Sequence, residues 1–194
     1  GEIVLGAAGW DDVGVDGGRA FVFYGGPAGL GLATDLPDAT VNPEPESDAY
    51  FGWSVAAAGD VNADGNGDVV VGAPLYDFTT SDTGRAYVFL GGPTGLDTVP
   101  IWAQTPEPEA GALFGWSVAG AGHVNDDAYA DIIVGARDRD VGGFSNSGKA
   151  YVFHGGPAGP NIVPDWERDA PDARDLGRFG AAVAAAGSVN ADAY

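Results

Sequence analysis

The chain has 194 residues, 45% of them apolar, with 33 glycines and 13 prolines. That is enough for one domain with a real core, and it favours short strands and tight turns over long helices. Acidic residues outnumber basic ones 28 to 8, which excludes the basic stripe that nucleic acid requires, disfavours anionic membrane surfaces and makes cations the natural partners.

There is no cysteine and hence no thiol chemistry, and no apolar run is long enough to cross a bilayer as a helix. Methionine is absent as well, even at position 1, so the chain is expected to be a processed product, a fragment or a slice of something longer.

Taken in order, the chain opens on "GEIVLGAAGW" and continues at 17–30 with "GGRAFVFYGGPAGL". The latter returns as "TGRAYVFLGGPTGL" at 83–96 and "SGKAYVFHGGPAGP" at 147–160. From Phe51 a whole repeat can be read. Residues 51–58 alternate large and small, with Phe51, Trp53 and Val55 set against Gly52, Ser54 and Ala56, which is the period of a strand. "VVVGA" at 69–73 is short, apolar and β-branched, as in a fully buried strand. "RAYVFL" at 85–90 is a third strand, ended by the turn formers of "GGPTG". "TVPIWAQT" at 98–105 is a fourth, anchored by Trp102, with Pro100 confined to its start or an edge, and "IVPDWERD" at 162–169 is its counterpart.

A second copy starts at Phe114 and a third at Phe179, 63 and 65 residues further on. The third stops at "SVNADAY". Joined to the opening "GEIVLGA", it matches "HVNDDAYADIIVGA" at 123–136 without a gap, a wrapped period of 66 residues. Four strands in each such period predict a propeller blade or a β-solenoid unit. The expected fold is therefore all-β: one module over 1–194 with repeats at 51–113 and 114–178, and a third split between 179–194 and 1–50.

Between the first two strands of the full repeat lies "GDVNADGNGD", with Asp60, Asn62, Asp64, Asn66 and Asp68 at loop positions 1, 3, 5, 7 and 9. Alternate side chains of an extended loop point one way, so their oxygens can meet on one cation, position 7 contributing its carbonyl. Hard oxygen ligands select Ca²⁺. An EF-hand would need glutamate at position 12, where Val71 stands, and helices rather than strands on either side. Asn, Asp and Gly also make ordinary turns, but a turn alone does not explain their return at one phase. The second loop has His123, Asn125, Asp127, Tyr129 and Asp131 at the same positions, and imidazole is a poor calcium ligand, so this site should be weaker. The third, if closed, has Ser188, Asn190, Asp192, Tyr194 and Glu2, drawn from opposite ends of the chain.

No catalytic constellation emerges. His123 occupies a loop position and His154 a strand end, and the clustered carboxylates are absorbed by the loops, so no enzyme is expected. "RDRD" at 137–140 and "ERDAPDARD" at 167–175 read as solvated loops. Trp10, Trp53 and Trp116 are the aromatic candidates for stacking on a ligand, though the shared phase of Trp53 and Trp116 predicts contact between blades.

These motifs resemble the FG-GAP repeat, the unit of the integrin alpha-subunit β-propeller and of many secreted bacterial proteins. The carriers are Phe51-Gly52, Phe114-Gly115 and Phe179-Gly180, with "GAP" at 72–74, "GAR" at 135–137 and "GAA" at 6–8. The family's D-x-[DN]-x-D-x-x-x-D loop is matched in full only from Asp60 to Asp68. The resemblance implies four-stranded blades around an axis, calcium in the hairpin loop, and a protein-interaction or adhesion role outside the cell or on its surface. A lectin or a building block of an extracellular array are the alternatives. Three blades cannot close a ring, so either two chains pair into six blades or flanking repeats complete the array.

Overall fold

The computed structural model describes residues 1–11, 15–27, 29–30, 36–43, 47–106, 108–187 and 189. Every regular element in it is a strand. The N-terminal sheet is built from β1 (Ile3–Ala7), β2 (Arg19–Phe23) and, beyond the small hairpin of β3 (Gly25–Gly26) and β4 (Gly29–Leu30), β5 (Ala39–Val41), in the order β1-β2-β5. The middle sheet follows as β6 (Ser54–Gly59), β7 (Asp68–Ala73), β8 (Arg85–Phe89) and β9 (Trp102–Gln104). The C-terminal sheet is β10 (Phe114–Gly122), β11 (Asp131–Ala136), β12 (Lys149–Phe153) and β13 (Trp166–Asp169). In all three each strand pairs antiparallel with the next strand of its own sheet, the up-and-down order of a propeller blade.

Strand positions match the sequence reading more closely than strand ends do. The first strand of the middle sheet begins at Ser54, not Phe51. Tyr50 and Gly52 both have positive φ, and Trp53 N–H closes a turn onto the Tyr50 carbonyl at 3.0 Å. The fourth strand shrinks to Trp102–Gln104, because Pro100 has no N–H to offer its neighbour.

The middle sheet is buried on both faces, and alternation along its strands sorts side chains between two cores. Val70, Ala86 and Val88 point to the C-terminal sheet, where they meet Phe114, Val118 and Ile132. Val71, Tyr87 and Phe89 point to the N-terminal sheet and meet Ala20 and Val41. The motif phenylalanines lock onto the third strand of their own sheet. Phe51 stands edge-on to Tyr87 and Phe89 at centroid distances of 5.3 and 6.1 Å, and Phe114 repeats this on Tyr151 and Phe153 at 5.4 and 6.3 Å.

The motif glycines meet across the junction between neighbouring sheets. A Cβ on Gly72 would run into the carbonyl oxygen of Gly115, and one on Gly135 into that of Gly180. Ser54 Oγ donates to the Gly115 carbonyl at 2.8 Å, and Ser117 Oγ to the Gly180 carbonyl at 2.7 Å. The "FG" of one repeat and the "GA" of the repeat before it are thus two halves of one backbone contact.

Candidate metal centre

The loops that join first and second strands of the middle and C-terminal sheets share one backbone course. Position 4 is left-handed in both, with φ of 57° at Ala63 and 61° at Asp126. At position 9 each places a buried carboxylate. Asp68 accepts from the N–H of Val61 and of Gly91, both at 2.8 Å. Asp131 accepts from Val124 and Gly155 at 2.7 and 3.0 Å. Position 9 therefore ties the hairpin loop to the "GGP" turn after the third strand. Sequence reading assigned Asp68 to metal alone; its long-range partners, 23 residues away at Gly91, carry no local signal.

In the first loop the remaining side chains close on the loop's own amides. Asp60 takes the N–H of Asp64 at 3.0 Å and of Gly65 at 2.8 Å, while Asn62 Oδ1 takes the same Asp64 N–H at 3.1 Å. Asp64 accepts from Asn62 Nδ2 and from the backbone and side chain of Asn66 at 2.8 to 2.9 Å. Those bonds, led by the one from Asn62, hold the Asp64 carboxyl below the usual carboxylate range. Among the described residues no three carboxylate or imidazole groups converge as a metal cage. The donor set of the first loop nevertheless fits a hard cation: the position 1 and position 3 oxygens already meet at one amide, and every remaining donor is an oxygen.

The second loop departs from that pattern at its first residue. His123 Nδ1 lies 2.9 Å from the Tyr129 carbonyl oxygen, and since a carbonyl only accepts, Nδ1 carries the proton. Positions 1 and 7, both ligands in the expected scheme, here bond each other. Asn125 and Asp127 keep the local pairing, with Asn125 Nδ2 donating to Asp127 at 2.7 Å and Tyr129 N–H to Asp127 at 2.8 Å. Of the third loop, Ser188, Asn190, Asp192 and Tyr194 lie outside the described residues. Glu2 is exposed and lines a groove with Asn66, Gly67 and Val69 of the middle sheet.

Burial raises the Asp68 carboxyl from 3.8 to about 6, with Asp64 and Asp60 adding to the effect. A carboxyl whose pKa is higher folded than unfolded stabilises the fold while protonated and loses that contribution as pH rises through the folded value. The metal-free protein should therefore lose stability between pH ~4 and about 6. Melting curves in chelator across this range, compared with Asp68→Asn, check it; equal slopes for the two proteins would contradict it.

The aromatic candidates lie at the opposite end of the strands from these loops. Trp53 and Trp116 do meet across a junction, with centroids 4.6 Å apart, but on the rim rather than in the core, Trp53 being 45% exposed. Arg137 stacks on Trp116 with its guanidinium carbon 3.7 Å from the ring centroid, and it grips Asp138 in two hydrogen bonds. Arg139 pairs with Glu109, and Asp140 accepts from Asn146 N–H at 2.7 Å. The "RDRD" stretch is thus bonded scaffold rather than a solvated loop. His154 sits at the end of its strand, its N–H on Asp165 at 2.7 Å.

The FG-GAP repeat family model matches residues 51–89, the stretch that runs from the motif phenylalanine through the candidate loop to the third strand. Integrin alpha-5 of Xenopus laevis is 36% identical over 121 residues, covering 60% of this chain and 11% of its own length. Integrin alpha-PS5 of Drosophila melanogaster is 38% identical over 133 residues, 68% of this chain and 12% of its own. Human integrin alpha-10 is 36% identical over 122 residues, 62% and 10%. The chain spans about a tenth of the length of these relatives. Its repeats, their strand order and these likenesses agree: the chain is an FG-GAP repeat protein that resembles integrin alpha subunits.

Proposed function

We propose that this chain is a non-enzymatic, calcium-binding β-propeller module for protein interaction or adhesion outside the cell or at its surface, working as a closed ring. The observation that supports the calcium part is the first loop, where the Asp60 and Asn62 oxygens meet at the Asp64 amide, Asp64 accepts from Asn62 and Asn66, and Asp68 lies buried at position 9. The Asp68 carboxyl is 2% exposed and lies near two further carboxylates. A cation offsets that repulsion and the cost of burial together. In the second loop His123 already occupies the Tyr129 carbonyl, so calcium there is weaker.

The adhesion part rests on the integrin relatives and on a strongly acidic, calcium-suited surface, with net charge −20. The test of the calcium part is Asp64→Ala. With calcium about a hundredfold above its Kd, the variant should lose the roughly 2.7 kcal/mol that binding to the native state contributes. In chelator its loss should be much smaller, confined to the hydrogen bonds that Asp64 accepts from Asn62 and Asn66. Equal losses in both conditions would reduce the loop to a turn.

A second reading, a carbohydrate-binding propeller, is favoured by one feature. The Trp53–Trp116 pair, its rings tilted by 49° and Trp53 exposed, lies at a sheet junction beside Arg137 and Asp138, an aromatic surface flanked by polar groups. A glycan array separates the two: selective sugar binding that disappears in Trp53→Ala would move the function to this rim.

A further inference from the structure

The first loop is fastened to the sheet that follows it, and the fastening starts at a candidate ligand. The Asp60 carbonyl accepts the N–H of Ala130, position 8 of the second loop, at 2.9 Å. The Val61 carbonyl accepts the N–H of Gly156, in the "GGP" turn of the C-terminal sheet, also at 2.9 Å. Val61 and Ala130 are both buried in the core between the middle and C-terminal sheets, each of them four-stranded. A Cβ on Gly155 would run into the carbonyl oxygens of Val61 and Ala130, so the two loops and the turn meet backbone to backbone.

The route between the two position 9 carboxylates is short and stiff. Asp68 accepts the Val61 N–H at 2.8 Å. That N–H and the Asp60 carbonyl belong to one peptide group, which resonance keeps planar. A shift of Asp60 or Asp68 therefore turns the plane and moves the oxygen that holds Ala130. Ala130 leads directly into Asp131, the buried carboxylate of the second loop. A second branch reaches the same residue: Val61 holds Gly156, and the neighbouring Gly155 donates its N–H to Asp131 at 3.0 Å. Close-packed interiors pass a displacement on rather than absorb it, and here the path is an unbroken run of packed, hydrogen-bonded groups.

We propose that the first loop is a latch on this junction: a cation held there fixes the Asp60–Val61 peptide, tightens its hold on Ala130 and Gly156, and so orders the second loop and the turn beside it. The inference rests on the calcium reading above and adds what occupancy of the loop regulates. The second loop, in which His123 and the Tyr129 carbonyl bond each other, then needs no cation of its own to be ordered. Linkage makes the effect reciprocal, so a change that loosens Ala130 weakens cation binding in the first loop by the same factor.

Hydrogen exchange of single amides, followed by NMR with calcium and in chelator, tests the latch. The Ala130 and Gly156 amides should exchange about fivefold more slowly with calcium, the lower end of ordinary coupling between sites. Phe114, whose N–H is bonded to the Thr83 carbonyl at the other end of the same junction, is the control and should slow less. Asp64→Ala removes a side chain whose hydrogen bonds stay within the first loop, and it should abolish the calcium effect at Ala130 and Gly156. Slowing at the Asp64 and Gly65 amides without slowing at Ala130 and Gly156 overturns the latch and leaves the calcium reading standing. Equal slowing at Phe114 overturns it as well, since calcium would then stabilise the whole protein and not this junction. No slowing at any of these amides overturns the calcium reading and the latch with it.

Discussion

Gly72→Ala is expected to destabilise the protein by about 3 kcal/mol, the upper end of the cost of overpacking, although it adds a single methyl group. The new carbon would fall on the Gly115 carbonyl oxygen, which is backbone of the next sheet and already accepts the Ser54 hydroxyl at 2.8 Å. No rotamer change relieves the clash. The sheets must separate, and the separation propagates into the core behind Val70 and Phe114. Gly92→Ala is the control. Its nearest neighbour, the Gly95 carbonyl oxygen, would be 3.5 Å from the added carbon, an ordinary contact. That variant should be neutral or slightly stabilised through the loss of unfolded-state freedom. Urea unfolding of both proteins reads the difference. Equal midpoints would mean that the sheets are not as closely apposed as the glycine contact requires.

Phe114→Ala should cost about 3–5 kcal/mol, as expected for a large aromatic removed from a core that cannot collapse around the gap. The ring is 3% exposed and is held edge-on by Tyr151 and Phe153 at 5.4 and 6.3 Å. It also sits where the C-terminal sheet meets the middle one through the bridge from Phe114 to Gly84. The equivalent change at Phe179 shows how far this cost depends on burial. In a single chain Phe179 is half-buried, so Phe179→Ala should cost only about 1 kcal/mol, the typical effect of a point change. Denaturant unfolding of the two variants reads the difference, and equal losses would mean that the Phe114 ring is not held by Tyr151 and Phe153.

Much of this architecture is written locally. Period-2 alternation in "RAYVFL", the β-branched run "VVVGA" and the "GGP" turns depend on residues close in sequence, and the strands β7 and β8 lie where those patterns put them. The threefold recurrence fixed the strand order too, since each copy repeats the same up-and-down meander. The oxygen-rich loops were legible for the same reason: their composition is a local property.

What only the tertiary structure decided are contacts between residues tens of positions apart. The pairing of Gly72 with Gly115, the tie from Asp68 to Gly91 and the stack of Arg137 on Trp116 leave no periodic trace. The role of His123 belongs here as well. Its type announced a poor ligand, but only the folded loop brings Nδ1 onto the Tyr129 carbonyl. The sequence by itself determined the repeat, the strands and the polar loops, because hydrophobic period and turn chemistry act over a few residues. The fold decided which glycines must stay bare, which carboxylate is buried and which faces stand open, because those depend on how one sheet lies against the next.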